Sequence, residues 1–345
     1  MASSPDTLIA AVAREAQWLP HRYDPGEDAI HFRRTPRAEH RAATFLTDDY
    51  LPAGDAPMVL RRTDVMATAT RPAPLHFIFH SAFCCSTLLA RAFDIEGKAM
   101  GLKEPYILND LVGWAHRGAQ PAPAAQVLDD ALTLLARPFG NGETLVMKPS
   151  NVANAFAPAM LTMRPQANAL LLYAPLRDYL NSIARKGMDG RLWVRDLLVK
   201  LLKDRLIDLG FDGEAYLRHT DLQAAAVGWL AQHALFGRLV ARFGPDRVRT
   251  LSSEQVTARP RETMAALSAL FGVALDEAAL DAVVAGPAFT RHSKSEAAFG
   301  GDDRAAEQRE ADTRFGDEIE KVAAWAEAVA ANAGVAIDPG APLLG

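Results

Sequence analysis

The sequence predicts an α/β fold of three layers, a central mostly parallel sheet between layers of helices, preceded by an N-terminal appendage. Three observations carry this. From Leu75 onward, apolar runs of strand length alternate with segments of helical spacing, the pattern of a parallel sheet covered on both faces. Leu75–Asp94, reading LHFIFHSAFCCSTLLARAFD, is strand, tight loop and helix in succession. The candidate strands also end in polar residues, and in open parallel sheets ligands sit beyond the carboxyl ends of the strands.

The first 70 residues read as the appendage. Ser4 to Trp18 has the spacing of a capped amphipathic helix and Ala29 to Arg33 that of a short strand. Between them Pro20, Pro25-Gly26, Pro36, Pro52, Gly54 and Pro57 break the chain repeatedly, so this part is expected to wrap the core. Residues 71–300 are expected to form the α/β core, and 301–345 a charged segment and a C-terminal helix.

Within the core, Leu75–Phe79 is the first strand, with a helix from Thr87 to Phe93. Ala99 to Leu102 is the second, ending in Lys103-Glu104-Pro105, and helical segments follow at Asn109–Ala115 and Ala124–Ala136. Thr144 to Met147 is the third, ending in Lys148-Pro149-Ser150-Asn151. The fourth, Ala167 to Tyr173, leads through Ala174-Pro175-Leu176 into a helix from Arg177 to Lys186, closed by Gly187. Arg191–Asp208 and Leu222–Phe243 are long Leu- and Ala-rich helices, Arg247–Leu251 a fifth strand and Arg261–Phe271 a further helix, followed by Asp276–Val284. A loop carries Arg291, His292 and Lys294, and the last element is a helix around Phe315–Ala331.

Composition bounds the function. An apolar fraction of 49% over 345 residues suffices for a globular core, and a net charge of −5 gives no basic footprint for nucleic acid. Two cysteines, adjacent at Cys84 and Cys85, exclude a disulfide framework and point to a reducing compartment. No run approaches membrane-spanning length. The expectation is a soluble cytoplasmic protein that meets neither nucleic acid nor membrane.

The chemistry offered by the strand, loop and helix at Leu75–Asp94 is a set of unpaired N–H groups with the positive end of a helix dipole behind them, suited to phosphate or sulfate. Aligned with the nucleotide-hydrolase loop GxxxxGK[ST], it places His80 and Cys85 at the glycines, Ser86 at the lysine and Thr87 at the hydroxyl, so three of the four positions differ. The alternative is a buried strand and helix with Ser86 as N-cap.

Taken together, the pattern from Leu75 to Lys294 resembles the sulfotransferase family, which moves a sulfuryl group from 3′-phosphoadenosine 5′-phosphosulfate to a hydroxyl or amine. The family's first loop, of the form GSPRSGTTLL, corresponds to HSAFCCSTLL here. Its second signature, R-D-P-R-D-x-x-x-S, corresponds to Ala174-Pro175-Leu176-Arg177-Asp178-Tyr179-Leu180-Asn181-Ser182. The resemblance implies a P-loop NTPase-like core. It implies donor contacts from the loop Phe83, Cys84, Cys85, Ser86 and Thr87 on the 5′ side, and from Arg177, Ser182, Lys294 and Arg291 on the 3′-phosphate. The chain departs from the family at Phe83, where a basic residue is usual, at Cys85, where a glycine is usual, and at Ala174, in place of the first arginine.

Sulfuryl transfer asks a protein to align two groups and to neutralise charge on the leaving oxygen. With no basic residue in the loop, Lys148 at the end of a central strand is the first choice for that task and Lys103 the second. Glu104 is the expected general base for the acceptor, with His80 and His116 behind it. Each has a plainer alternative: a lysine at the rim, a carboxylate paired with Lys103 or Lys148, a structural histidine. The expected co-substrate is 3′-phosphoadenosine 5′-phosphosulfate with no metal, and the expected partners are a small-molecule acceptor and, as an open expectation, a homodimer mate. Two other functions stand beside this one: an ATP-dependent phosphotransferase or hydrolase on the same fold, and an inactive relative that binds a nucleotide or a protein.

Overall fold

The computed structural model describes the backbone of residues 5–290 and 301–345, and the side chains of residues 7–290 and 314–345. Eight strands are present among them: β1 (Trp18–Asp24), β2 (Ala29–Arg34), β3 (Met58–Arg61), β4 (Leu75–His80), β5 (Ala99–Lys103), β6 (Thr144–Lys148), β7 (Ala169–Tyr173) and β8 (Val248–Ser252). The first three form an antiparallel sheet in the order β1-β2-β3, and the other five a sheet in the order β5-β6-β4-β7-β8. The chain is thus α/β, with a five-stranded parallel sheet flanked by helices.

Why these segments are strands follows from their burial. Every residue of β4, β5 and β6 is buried, and four of the five in β7. Strands buried on both faces read as continuous apolar runs and need a helical layer on each side. Strand β5 pairs with β6, β4 with β6 and β7 with β8, each in parallel.

The chain divides into two compact units. The first comprises Met1–Ile78, Thr87–Asn168 and Ser268–Leu275, the second Phe79–Ser86, Ala169–Leu267 and Asp276–Gly345. Strand β4 belongs to both, its last two residues falling in the second.

In the first unit the β5 and β6 registers bring Lys103 opposite Lys148 at the strand ends. Gly101 in β5 lies so close to the helix Ser86–Ala92 that an added Cβ would stand 1.9 Å from the Ala90 carbonyl oxygen. A glycine in mid-strand is thereby explained by the close approach of another backbone. The N-terminal residues hold two strands beyond the one expected. In β1, WLPHRYD, Pro20 falls where the register with β2 shifts, and proline is tolerated in a sheet at such a bulge. His21 Nε2 meets Asp48 Oδ1 at 2.6 Å, and Arg22 pairs with both Asp48 and Asp110, so the polar residues of this strand are spent on partners. Alternation in β3 is exposed and half-buried, which fits an edge.

In the second unit, β7 runs through Ala174-Pro175 into the helix Leu176–Arg185, and Gly187, at φ +59°, begins a new helix, Gly187–Lys203, rather than only ending the old one. The helix Asp221–Phe243 opens with a capping box, in which Thr220 and Gln223 bond reciprocally. Leu198, Ala224 and Val227 centre a cluster that also takes in Phe211, Tyr216 and Trp325.

Candidate functional site

The loop after β4 has an unusual backbone. Ala82, Phe83 and Cys85 have φ of +73°, +51° and +64°, a region that glycine enters freely and side-chain-bearing residues enter at a cost. Where the sequence comparison left a missing glycine at Cys85, the chain adopts the glycine-like conformation with a cysteine, and does so at two neighbours as well. Conformations of this kind persist only where surrounding contacts over-determine them, and they cluster at functional sites.

Those contacts lie within the second unit. Ser81 donates its N–H to the Leu172 oxygen at 3.0 Å, and its Oγ accepts from the Ala174 N–H at 3.2 Å. Cys84 Sγ lies 3.5 Å from the Leu172 oxygen, and the buried His80 accepts at Nδ1 from the Ala82 N–H at 3.1 Å. Trp229 Nε1 donates to the Ala174 oxygen at 2.9 Å. The loop and the start of the second signature are therefore laced together. Phe83 sits against Tyr179 of that signature, ring centroids 6.0 Å apart, and edge-on to Trp193 at 5.4 Å, with Lys186 Nζ 5.7 Å from its ring centre. Tyr179 is fully buried, burial pushes its phenol above the ordinary value, and its hydroxyl has no hydrogen-bond partner among the described residues.

The two residues of the second signature expected to meet the 3′-phosphate are occupied. Arg177 forks onto Glu320 at 2.8 Å and Glu327 at 3.0 Å, and these carboxylates hold its guanidinium above its ordinary pKa. Ser182 Oγ donates to the Asp178 oxygen one turn back, at 2.9 Å. Ser86 and Thr87, at the start of the helix Ser86–Ala92, are buried. Arg291 and Lys294 lie outside the described residues.

The strand-end groups of the first unit fall into two arrangements. Lys148 forms an ion pair with Glu104 and stands 4.8 Å from the centre of the Phe45 ring, a cation against an aromatic face. Only 1% of its side chain is exposed, against 16% for Glu104. Glu104 adopts φ +53° and donates its N–H to the Lys148 oxygen at 2.7 Å, so backbone and side chain join the same two residues. Lys103 turns elsewhere. Its Nζ donates to the carbonyls of His40 at 2.6 Å and Arg41 at 3.0 Å, at the end of the helix Arg37–Ala42. Burial, with Arg91 nearby, lowers its pKa from 10.5 to about 7. His116 closes the helix Tyr106–His116. The ion pair expected as the plainer alternative for Glu104 is present, and Phe45, Lys186, Trp193 and Tyr179 are neighbours to which the sequence reading gave no role. Tyr179 alone carried a signal, its place inside the second signature.

No protein-family model matches the chain, and no curated protein does. Solved structures similar to it are sulfotransferases. The sulfotransferase domain from the curacin biosynthetic pathway is 14% identical with a TM-score of 0.41, covering 72% of this chain and 99% of that one. The sulfotransferase domain from the olefin synthase of Synechococcus PCC 7002 is 15% identical with a TM-score of 0.40, covering 67% and 82%. A sulfotransferase from Alicyclobacillus acidocaldarius is 18% identical with a TM-score of 0.37, covering 73% and 97%.

Among the described residues no group of three His, Cys, Asp or Glu side chains could hold a metal ion, and no helix is long and apolar enough to cross a membrane.

Proposed function

We propose that this chain transfers a sulfuryl group from 3′-phosphoadenosine 5′-phosphosulfate to a hydroxyl or amine of a small molecule. The observation that supports the reading best is the lacing of the first loop to the second signature, through Ser81 to Leu172 and Ala174 and through Phe83 to Tyr179. In the resemblance these two stretches hold the two ends of one doubly phosphorylated nucleoside. A loop with three left-handed residues turns its N–H groups in directions that ordinary backbone does not reach, and such turned amides make concavities for anions. The backbone of Cys84, Cys85, Ser86 and Thr87 would hold the 5′ side, with the Ser86 and Thr87 hydroxyls beside it.

On the 3′ side the reading gives Arg177 a planar fork suited to a phosphate. Its present partners are exposed carboxylates, and exposed ion pairs are worth little because water screens them. A dianionic phosphate is a stronger partner than either, so the carboxylates are competitors that it can displace. Ser182, and Lys294 with Arg291, complete the proposed 3′ contacts.

Charge on the leaving oxygen needs a cation. Lys148 is the proposed one, with Lys186, standing over Phe83, as a second candidate. Glu104 is the proposed base, held beside Lys148 by their ion pair. Lys103 fits this chemistry less well, because its amine is spent on two carbonyls. The acceptor is proposed only as a small molecule.

Calorimetric titration with 3′-phosphoadenosine 5′-phosphate and, separately, with Mg-ATP tests the reading. Saturable binding of the first and weaker binding of the second is the expected result. Preference for Mg-ATP would make the chain a phosphotransferase, and silence toward both would remove the donor site altogether. Lys148→Met should lower turnover more than donor affinity, and an unchanged rate would take the catalytic cation elsewhere.

A further inference from the structure

The helix Gly187–Lys203 buries Gly190, Val194, Leu197, Leu198 and Leu201 on one face. At 100° per residue, the point opposite that face is where a surface helix carries its charges. Here it carries Met188, Leu192 and Val199, exposed to 67%, 56% and 53%, within an arc of roughly 40°. On one flank of this crest lie Asp189 and Asp196, then Lys200 and Lys203, acidic toward the N-terminus and basic toward the C-terminus. None of these four makes an ion pair among the described residues, whereas Arg191 and Arg195 on the other flank are spent on Glu318 and Asp221.

We infer that this crest is the interface for a second, inverted copy of the chain. In a two-fold pair each helix meets the same surface of its partner. When the helices run antiparallel, the flank bearing Asp189 faces itself with its direction reversed. Setting Leu192 of one copy against Val199 of the other brings Asp189 opposite the Lys200–Lys203 turn, and the symmetry repeats this pairing. Asp189 and the Lys200–Lys203 turn, unused within one copy, are thus complementary between two, while Asp196 stands beside the two-fold axis near its own counterpart, and the apolar crest is covered between them. A membrane surface is the poorer occupant. Interfacial helices carry a strongly basic polar face, and this flank holds as many aspartates as lysines.

Sedimentation of the full chain across a concentration series tests the interface. The wild type should approach twice the 37.3 kDa chain mass, and Leu192→Asp should sediment at the single mass with an unchanged circular-dichroism spectrum, since the side chain it replaces is exposed. Asp189→Lys should shift the equilibrium toward the single mass, and the swap Asp189→Lys/Lys200→Asp/Lys203→Asp should restore the double mass. A single mass at every concentration, or a double mass that survives Leu192→Asp, overturns the proposal. So does a chain of single mass that binds anionic lipid vesicles in the wild type and loses them in Leu192→Asp. These readouts involve no nucleotide, so they stand or fall independently of the proposed activity.

Discussion

Arg177 is held by two carboxylates that lie 143 and 150 residues further along the chain. If the arginine is to receive a 3′-phosphate, Glu320 and Glu327 compete with it. Removing their charge in Glu320→Gln/Glu327→Gln should therefore tighten binding of 3′-phosphoadenosine 5′-phosphate, by several-fold in a calorimetric titration, and more at low salt than at high salt. Weaker binding would mean that the carboxylates serve the ligand rather than oppose it. Lys103 makes a different kind of test. Its pKa of about 7 lies below the ordinary 10.5, so between those values the unfolded chain holds a proton that the folded one has lost, and stability rises with pH across that window. In Lys103→Met that part of the rise should vanish from denaturant titrations run between pH 7 and 10, whatever the net change at neutral pH. Neither arginine partners nor lysine direction could be read from the sequence. Lys103 and Lys148 both end strands and stand in register, yet one caps carbonyls and the other pairs with a carboxylate, because segments distant in the chain happen to lie beside each.

At the scale of elements, the strands of the parallel sheet were legible and those of the N-terminal sheet largely were not. Continuous apolar runs such as Leu145-Val146-Met147 and Leu170-Leu171-Leu172 need burial on both faces, and that need is local to the run. β1 mixes Pro20, His21 and Arg22 with its apolar residues, and becomes a strand through partners at Asp48 and Asp110 that no local pattern announces. The loop after β4 was legible as a turn but not in its conformation, since left-handed backbone is signalled by glycine and here is taken up by Ala82, Phe83 and Cys85. Cys85→Gly should relieve strain of about 1 kcal/mol, offset in part by the freer unfolded chain, and thermal unfolding should show equal or higher stability. A clear loss would show that the cysteine side chain itself anchors the loop. Gly101→Ala should act in the opposite sense, by about 1–3 kcal/mol or more, because the methyl meets the Ala90 carbonyl and neither backbone has room to retreat.

For the molecule as a whole, three of the buried histidines should contribute to its acid sensitivity. Burial lowers the pKa of His40 and His233 to about 3 and that of His76 to about 4, so all three are neutral in the folded chain at neutral pH. Below pH 6.5 the unfolded chain takes up protons that the folded one refuses, and stability falls progressively until the folded values are reached. Urea midpoints measured from pH 7 to pH 4 should decline. Replacing His76 with Gln should flatten part of that decline, and an unchanged slope would place the acid sensitivity in the carboxylates instead. The central claim, that the first loop and the second signature hold two ends of one nucleoside, is tested most directly by the ratio of affinities for 3′-phosphoadenosine 5′-phosphate and adenosine 5′-phosphate in the wild type and in Arg177→Ala. The account predicts a large ratio that collapses toward one in the variant through loss of the doubly phosphorylated ligand alone. Equal affinities in the wild type, or a fall in both ligands together, would contradict it.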